Sequence, residues 1–90
     1  MEEIRPADGV ILHEQEGDAF LLHVPTGRYF GLNRSGLVVW KALSAGEDPV
    51  EALARRWPDV DADVHRADAA SLVDALTAAG LAEPASGASE

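Results

Sequence analysis

The side chains that most often carry chemistry in a small protein are spread along this sequence without a shared pattern. Of the three histidines, His13 and His23 fall on different predicted strands and His65 falls near the start of a predicted helix. None of them has the His-x-x-x-His spacing of a metal site. The sequence contains no cysteine, so thiolate ligands and disulfides are excluded. The spacing therefore predicts no metal centre.

The serines indicate no nucleophilic catalysis either. Ser35, Ser44 and Ser71 lie in predicted helices or at their starts, and none is the centre of a Gly-x-Ser-x-Gly elbow. No glycine-rich segment is followed by the Lys-Ser or Lys-Thr pair that binds phosphates. A domain of 90 residues also has little room for a deep catalytic pocket. We therefore predict that the chain is not an enzyme and uses no cofactor.

The charge balance says more about partners. Sixteen acidic residues against seven Lys and Arg give a formal net charge of −9. Up to Gly46 the chain has six acids and four bases, and beyond it ten acids and three bases. An acidic surface repels nucleic acid phosphates and steers basic peptides towards itself. The expected partner is a basic peptide and not a nucleic acid.

Length and hydropathy define the class of protein. Ninety residues with 47% hydrophobic side chains form one globular domain with a thin core. No apolar run approaches the ~18 residues of a membrane span. The acidic start Met1-Glu2-Glu3 lacks the positive charge of a signal peptide. We expect a soluble cytoplasmic protein without a membrane partner.

The first third of the chain has the pattern of an antiparallel meander. Strands are predicted at 10–16, 19–24 and 28–32, from β-branched and aromatic residues in partial alternation. Gly17-Asp18 is predicted as the first turn, and Pro25-Thr26-Gly27 breaks the chain before the strand Arg28–Leu32. That strand comes last in the meander.

The period then changes from that of strands to that of helices. Asn33 or Ser35 can cap a first helix that ends before Gly46. A second helix is predicted from Asp48-Pro49, because Asp caps well and Pro suits the first helical position. Pro58 ends it.

A third helix is predicted from about Val64 to Ala79, followed by Gly80 and by Leu81, which can fold back as in a Schellman motif. The domain is predicted to span residues 1–83, and residues 84–90 are predicted to be a disordered tail. Three strands followed by three helices make an α+β domain that resembles a winged helix-turn-helix with its sheet placed first.

The strand Arg28–Leu32 is the first candidate site. An unpaired last strand is an aggregation hazard unless it is covered, charged or used. Gly31 in its interior lets another backbone approach closely. Two interpretations remain open from strand chemistry alone. The edge is short because a short edge limits aggregation, or it is an edge to which an extended peptide adds as a strand.

The third helix is the second candidate element. Its apolar band is wider than packing on one side requires, because Ala69 and Val73 extend it beyond Leu72 and Leu76. One flank can border a groove for a guest, with Asp68 near the lip to meet a Lys or Arg. The alternative is that Ala69 and Val73 simply pack under the sheet.

The segment from Leu22 to Trp40 resembles the PqqD-like family. It contains Gly-Arg-Tyr-Phe-Gly-Leu-Asn at 27–33 and a short helix that ends in Val39-Trp40. The resemblance extends from about Val10 to Ala82. Two positions depart from the family pattern: Gly36 stands where Ala or a similar small residue is usual, and Pro25 where Asp is common.

The resemblance implies a RiPP recognition element, which binds the leader of a ribosomally synthesised precursor peptide and presents it to processing enzymes. The chain is most similar to the discrete leader-binding protein of lasso peptide biosynthesis. The implied partners are a leader peptidase and an ATP-dependent macrolactam cyclase. The resemblance implies that the leader adds as a strand beside the third helix, at Arg28, Tyr29, Phe30, Gly31, Leu32, Asp68, Ala69, Leu72, Val73 and Leu76.

Two other functions remain possible from the sequence. A winged-helix DNA-binding or regulatory module suits the architecture, but it needs a basic recognition helix. The third helix offers Arg66 against Asp68 and Asp74. A structural subunit of a larger enzyme is the other possibility. We favour leader binding.

Overall fold

The N-terminal part of the chain forms a three-stranded antiparallel sheet, as the residue pattern predicts. The structure, a computed structural model, describes residues 4–16 and 18–84. A short strand, β1 (Ile4–Pro6), comes first. The sheet follows with β2 (Val10–Gln15), β3 (Asp18–His23) and β4 (Arg28–Leu32), in the order β2-β3-β4. The predicted strands are confirmed to within one residue at each end.

The first hairpin differs in detail from the prediction. Asp18 pairs with Gln15 and is the first residue of β3, so its assignment to the turn is wrong. Glu16 takes a positive φ of 46°, while Gly17 lies outside the described residues. The second hairpin is closed as expected, with Gly27 N–H donating to the His23 carbonyl at 2.7 Å.

One face of the sheet forms the wall of the core. Leu12, Leu21 and Phe30 are direct neighbours across the three strands, and their side chains share this inner face. Leu21, in the middle, is fully buried. Residues of the three helices, such as Val39, Leu53 and Leu76, complete the same core cluster.

The first two helices begin and end where local chemistry places them. Helix α1 (Arg34–Ala45) is capped by Asn33, whose Oδ1 accepts a hydrogen bond from Gly36 N–H at 2.8 Å. Helix α2 (Pro49–Arg56) is capped by Asp48, which accepts from Val50 N–H at 2.9 Å. Each cap satisfies a backbone donor that the helix leaves without a partner.

Helix α3 (Ala62–Ala78) starts two residues earlier than predicted, with Asp61 as its cap. Its end is the predicted Schellman motif. Gly80 has a φ of 79° and donates to the Thr77 carbonyl, and Leu81 N–H donates to the Leu76 carbonyl at 2.9 Å. Leu81 folds back into the core and is 1% exposed.

A second, two-stranded sheet joins the two ends of the domain and is absent from the sequence prediction. β1 pairs with β5 (Ala82–Pro84), and Arg5 forms an ion pair of 3.0 Å with Glu83. Prolines at both strands weaken the strand signal, and the pairing joins residues at opposite ends of the chain. Pro84 thus belongs to β5, while the rest of the predicted tail, residues 85–90, lies outside the described residues.

The helices cover the inner face of the main sheet. Helix α1 contacts α2, α3, β1 and β4, and α3 contacts α2 and β5. This arrangement confirms the α+β, winged helix-turn-helix-like architecture. No helix in the described part of the chain is long and apolar enough to cross a membrane.

The central position of Leu21 gives a stability prediction. Leu21→Ala should lower the free energy of unfolding by about 2–5 kcal/mol, because it leaves a cavity that close-packed neighbours fill only in part. Urea denaturation followed by circular dichroism measures this loss. The matched variant Ile11→Ala removes a side chain that is 53% exposed and should cost at most about 1 kcal/mol. Equal losses would contradict the assigned inner and outer faces.

Candidate functional site

Strand β4 has one free edge. It is the last strand of the sheet, and every residue from Arg28 to Leu32 is paired with β3. Within residues 4–16 and 18–84, no strand pairs with its other side. Backbone N–H and C=O groups that point outwards from such an edge can bind an extended segment, which then becomes an additional strand.

The opposite edge of the sheet, β2, has a different character. Its last three residues, His13, Glu14 and Gln15, are all exposed and polar. Glu14 also forms an ion pair of 3.2 Å with Lys41 of α1. Charged side chains discourage strand addition. Each edge strand has one charged side chain, but Arg28 lies at the first residue of β4, whereas Glu14 lies within the run of three polar residues in β2. The edge of β4 is therefore the more receptive of the two.

The side chains of β4 alternate between the two faces of the sheet. Phe30 and Leu32 point to the inner face, where Phe30 is half-buried and Leu32 is buried. Tyr29 and Gly31 lie on the outer face, and Tyr29 is 69% exposed. Arg28 is exposed at the start of the strand. A guest strand at this edge therefore meets an apolar inner side and an open outer side.

The five predicted residues of α3 differ in accessibility. Ala69 and Leu76 are buried in the core, and Leu76 is 0% exposed. Leu72 and Val73 are half-buried on the two flanks of the helix, and Asp68 is exposed. Asp68, Leu72 and Val73 are thus accessible to a guest, whereas Ala69 and Leu76 form the floor beneath them.

Side chains of α3 and β4 approach each other at Gly36 of α1, one of the two positions that depart from the family pattern. A Cβ placed on Gly36 would lie 3.2 Å from Leu32 Cδ2 and 3.4 Å from Leu72 Cδ2. The two leucines therefore converge above this glycine. Since Asp68 precedes Leu72 by one helical turn, it lies on the same flank, whereas Val73 lies on the other. The structure brings Leu32, Leu72 and Asp68 together on one side of the domain.

The exposed charges of α3 are mostly acidic. Arg66, its one arginine, is ion-paired with Asp63. Asp68 and Asp74 are exposed and form no ion pair within the described residues. A recognition helix for DNA needs exposed basic side chains. The DNA-binding alternative is therefore not favoured.

The histidines have local structural partners. His65 is buried, and its Nε2 lies 3.0 Å from the Trp57 carbonyl, so it links α3 to the end of α2. His23 Nδ1 lies 2.8 Å from Thr26 Oγ1 in the second hairpin. Among the described residues no group of three His, Asp or Glu side chains is arranged to hold a metal ion. Packing explains His65 and turn formation explains His23.

Clefts that border the first two helices lie away from this site. Two shallow clefts of about 490 and 480 Å³ border α1 and α2, and Val38, Lys41 and Arg56 line both of them. Neither is lined by a residue of β4 or α3. The candidate site is therefore an edge and a flank rather than a cavity, which suits an extended peptide better than a small molecule.

The sequence prediction missed the aromatic rings on the outer face of the sheet. Phe20 of β3 stands between His13 and Tyr29, with ring centroids 4.9 and 5.6 Å away. The strand register places Phe20 directly opposite Gly31. A prediction of that register from the sequence would have revealed this neighbourhood, because residues on one face recur at every second position.

The fold and the open edge together define a small α+β domain of the winged helix-turn-helix type that offers a strand to an extended segment. The sequence profile of the family described as Coenzyme PQQ synthesis protein D (PqqD) matches residues 9–82. The chain belongs to the PqqD family, as its motifs predict.

Two solved structures share this fold. The first is TbiB1 in complex with the TbiA(beta) leader peptide, with a TM-score of 0.78 and 29% identity over 88% of this chain and 94% of that one. The second is a lasso peptide synthetase B1 complexed with the leader peptide, with a TM-score of 0.79 and 24% identity over 91% and 99% of the two chains. At 24% identity the second likeness concerns the fold alone. No curated protein matches the sequence significantly.

The free edge predicts an alternating pattern of amide hydrogen exchange along β4. Amides that point towards β3 are hydrogen-bonded and should exchange about tenfold or more slowly than those that point outwards. Exchange measured by nuclear magnetic resonance on the isolated protein tests this at 28–32. The middle strand, β3, is the internal control, since both of its sides are paired. Uniform protection along β4 would mean that its outer edge is covered.

Proposed function

We propose that this protein binds the leader of a ribosomally synthesised precursor peptide, which adds as a fourth strand to β4. The observation that carries the proposal is the free edge of β4 beside the Leu72 flank of α3. The likeness to TbiB1, a protein solved with a leader peptide, supports it. The contact residues proposed are those predicted from the sequence, with Ala69 and Leu76 as the floor.

Backbone hydrogen bonds at this edge give modest affinity. Two or three of the five residues of β4 direct both N–H and C=O outwards, so a guest forms about four to six bonds. Each contributes about 0.5–1.5 kcal/mol net, against an association cost of about 4–15 kcal/mol. Side-chain contacts must therefore supply much of the affinity and all of the selectivity.

The charge of the domain favours a basic leader. A net charge of −9 attracts cationic peptides over distances of about 10 Å and accelerates their encounter at low salt. Asp68 adds a local acceptor on the accessible flank of α3 for a Lys or Arg of the guest. Association should therefore slow as ionic strength rises.

The same proposal assigns no chemistry to this chain. Binding at an edge leaves the far part of the precursor free, so a separate leader peptidase and an ATP-dependent macrolactam cyclase can act on it. A lasso peptide pathway is the favoured setting, because the sequence resemblance implies it and a lasso peptide synthetase B1 solved with a leader peptide shares the fold. The protein would then act as a recognition element that presents a substrate.

Titration with a leader peptide tests the binding site. The probe is a synthetic peptide with the leader sequence of the precursor encoded beside this gene, added to isotope-labelled protein. We expect amide shifts along Arg28–Leu32 and on the Leu72 flank of α3. Shifts confined to β2 or to the α1–α2 clefts, or no shifts at high-micromolar peptide, would contradict the proposal.

Asp68 gives a sharper test of the α3 flank. Asp68→Asn should weaken binding of the same peptide by about two- to fivefold at low salt, the value of one exposed ion pair. The difference should shrink at high salt because screening weakens the pair in the unmodified protein. Fluorescence anisotropy at two salt concentrations measures both effects.

Asp74→Asn is the matched control for this variant. It removes the same charge from the same helix, but on the side that faces away from the core and from β4. It should leave the affinity nearly unchanged. If both variants weaken binding equally, the effect comes from net charge, and Asp68 has no specific role.

A further inference from the structure

The outer face of the main sheet carries a cluster of apolar side chains that are exposed or half-buried among the described residues. Ile11 and Tyr29 are 53% and 69% exposed, and Phe20 and Leu22 are half-buried beside them. The helices pack on the opposite face, so none of them covers these side chains. Exposed apolar clusters of this kind commonly mark interaction surfaces.

Gly31 opens a notch in this surface at the edge of the sheet. A Cβ added to Gly31 would find no atom within 4 Å, and its φ is not positive, so neither crowding nor backbone conformation requires glycine there. Phe20 lies opposite Gly31 on β3, and Tyr29 lies two residues away on the same face. The ring planes of Phe20 and Tyr29 meet at 61°, with centroids 5.6 Å apart.

The notch is continuous with the edge that the leader is proposed to use. A residue of an added strand that pairs with Gly31 has its side chain on the outer face. Because Gly31 has no side chain, a large guest side chain can lean across it and reach Phe20. A residue such as Val or Thr at position 31 would favour the strand more than glycine does, but it would fill this space.

We propose that the guest strand carries a large apolar or aromatic side chain opposite Gly31, and that this side chain packs in the notch against Phe20 and Tyr29. The inference rests on the proposed function and adds to it a second contact, on the outer face. The protein then contacts leader side chains on both faces of the added strand. Asp68 and Leu72 contact them on the inner side, and the rings of Phe20 and Tyr29 contact them on the outer side.

Selection from random peptides tests this without a known leader. Twelve-residue random peptides displayed on phage are selected on the immobilised protein, and the enriched sequences are synthesised. Their affinities and their alanine scans are measured by fluorescence anisotropy, and amide shifts on β4 identify those that add to the edge. We expect enriched peptides to share one large apolar residue on the outer face, whose replacement by Ala weakens binding about three- to tenfold.

Gly31→Val then separates the notch from the rest of the site. The variant should fold, since its Cβ meets no neighbour and Val suits a strand. It should bind the Ala-substituted peptide with the same affinity as the unmodified protein does. It should lose the gain in affinity that the large side chain of the original peptide gives. Phe20→Leu should reduce the same gain. Ile11→Ala, on β2 at the far side of the sheet, should leave it intact.

The outcomes distinguish the two proposals. If the protein enriches no peptide that shifts β4, the proposed function fails and the notch contact fails with it. If peptides add to β4 without preferring a large residue opposite Gly31, or if Gly31→Val weakens all peptides equally, only the notch contact is overturned. It is also overturned if sedimentation shows a dimer that Tyr29→Ser dissociates, because a second copy then covers this face.

Discussion

A sheet of three strands packed on one side by helices has one face and two edges that the fold cannot cover. Here Leu21 and its neighbours fix which face is inner, because the core of so small a domain depends on them. Within residues 4–16 and 18–84, no strand or helix then covers the other face or the outer edges of β2 and β4. The ion pair of Glu14 and the polar end of β2 make one edge unfavourable for strand addition, so the proposed binding edge is that of β4. The location of the site thus follows from the way the core is built.

Features set by local chemistry could be predicted from the sequence. Asn33, Asp48 and Gly80 mark helix ends because each satisfies, or permits, a few backbone hydrogen bonds close in sequence. The pairing of β1 with β5 was missed because it joins residues at opposite ends of the chain, and its prolines argue against strands. Local signals contain no information about such a pairing.

The elements of the candidate site could be inferred from the sequence to a similar extent and for the same reason. The family motif and the strand order lead to β4, but helical periodicity does not separate the two flanks of α3. That distinction required the contact of Leu72 with the region of Leu32 and Gly36, where three elements meet. The family resemblance also grouped Leu76 with the proposed contact residues, whereas the packing of α3 makes it part of the core. The proximity of the outer-face rings to Gly31 could not be predicted from the sequence, because it depends on the register between strands.

Gly31 connects the stability of the sheet with its use. Glycine weakens a strand, and among the described residues β4 is paired on one side only. Gly31 therefore makes this edge strand less stable than a β-branched residue would. Such a cost is typical of residues retained for binding rather than for folding. A short edge with weak backbone affinity also releases its guest readily, which suits the proposed role of presenting a precursor to other enzymes. Selectivity then has to come from side chains on both faces of the guest. The proposed notch at Gly31, beside the two rings, adds selectivity with little change in the affinity that backbone hydrogen bonds supply.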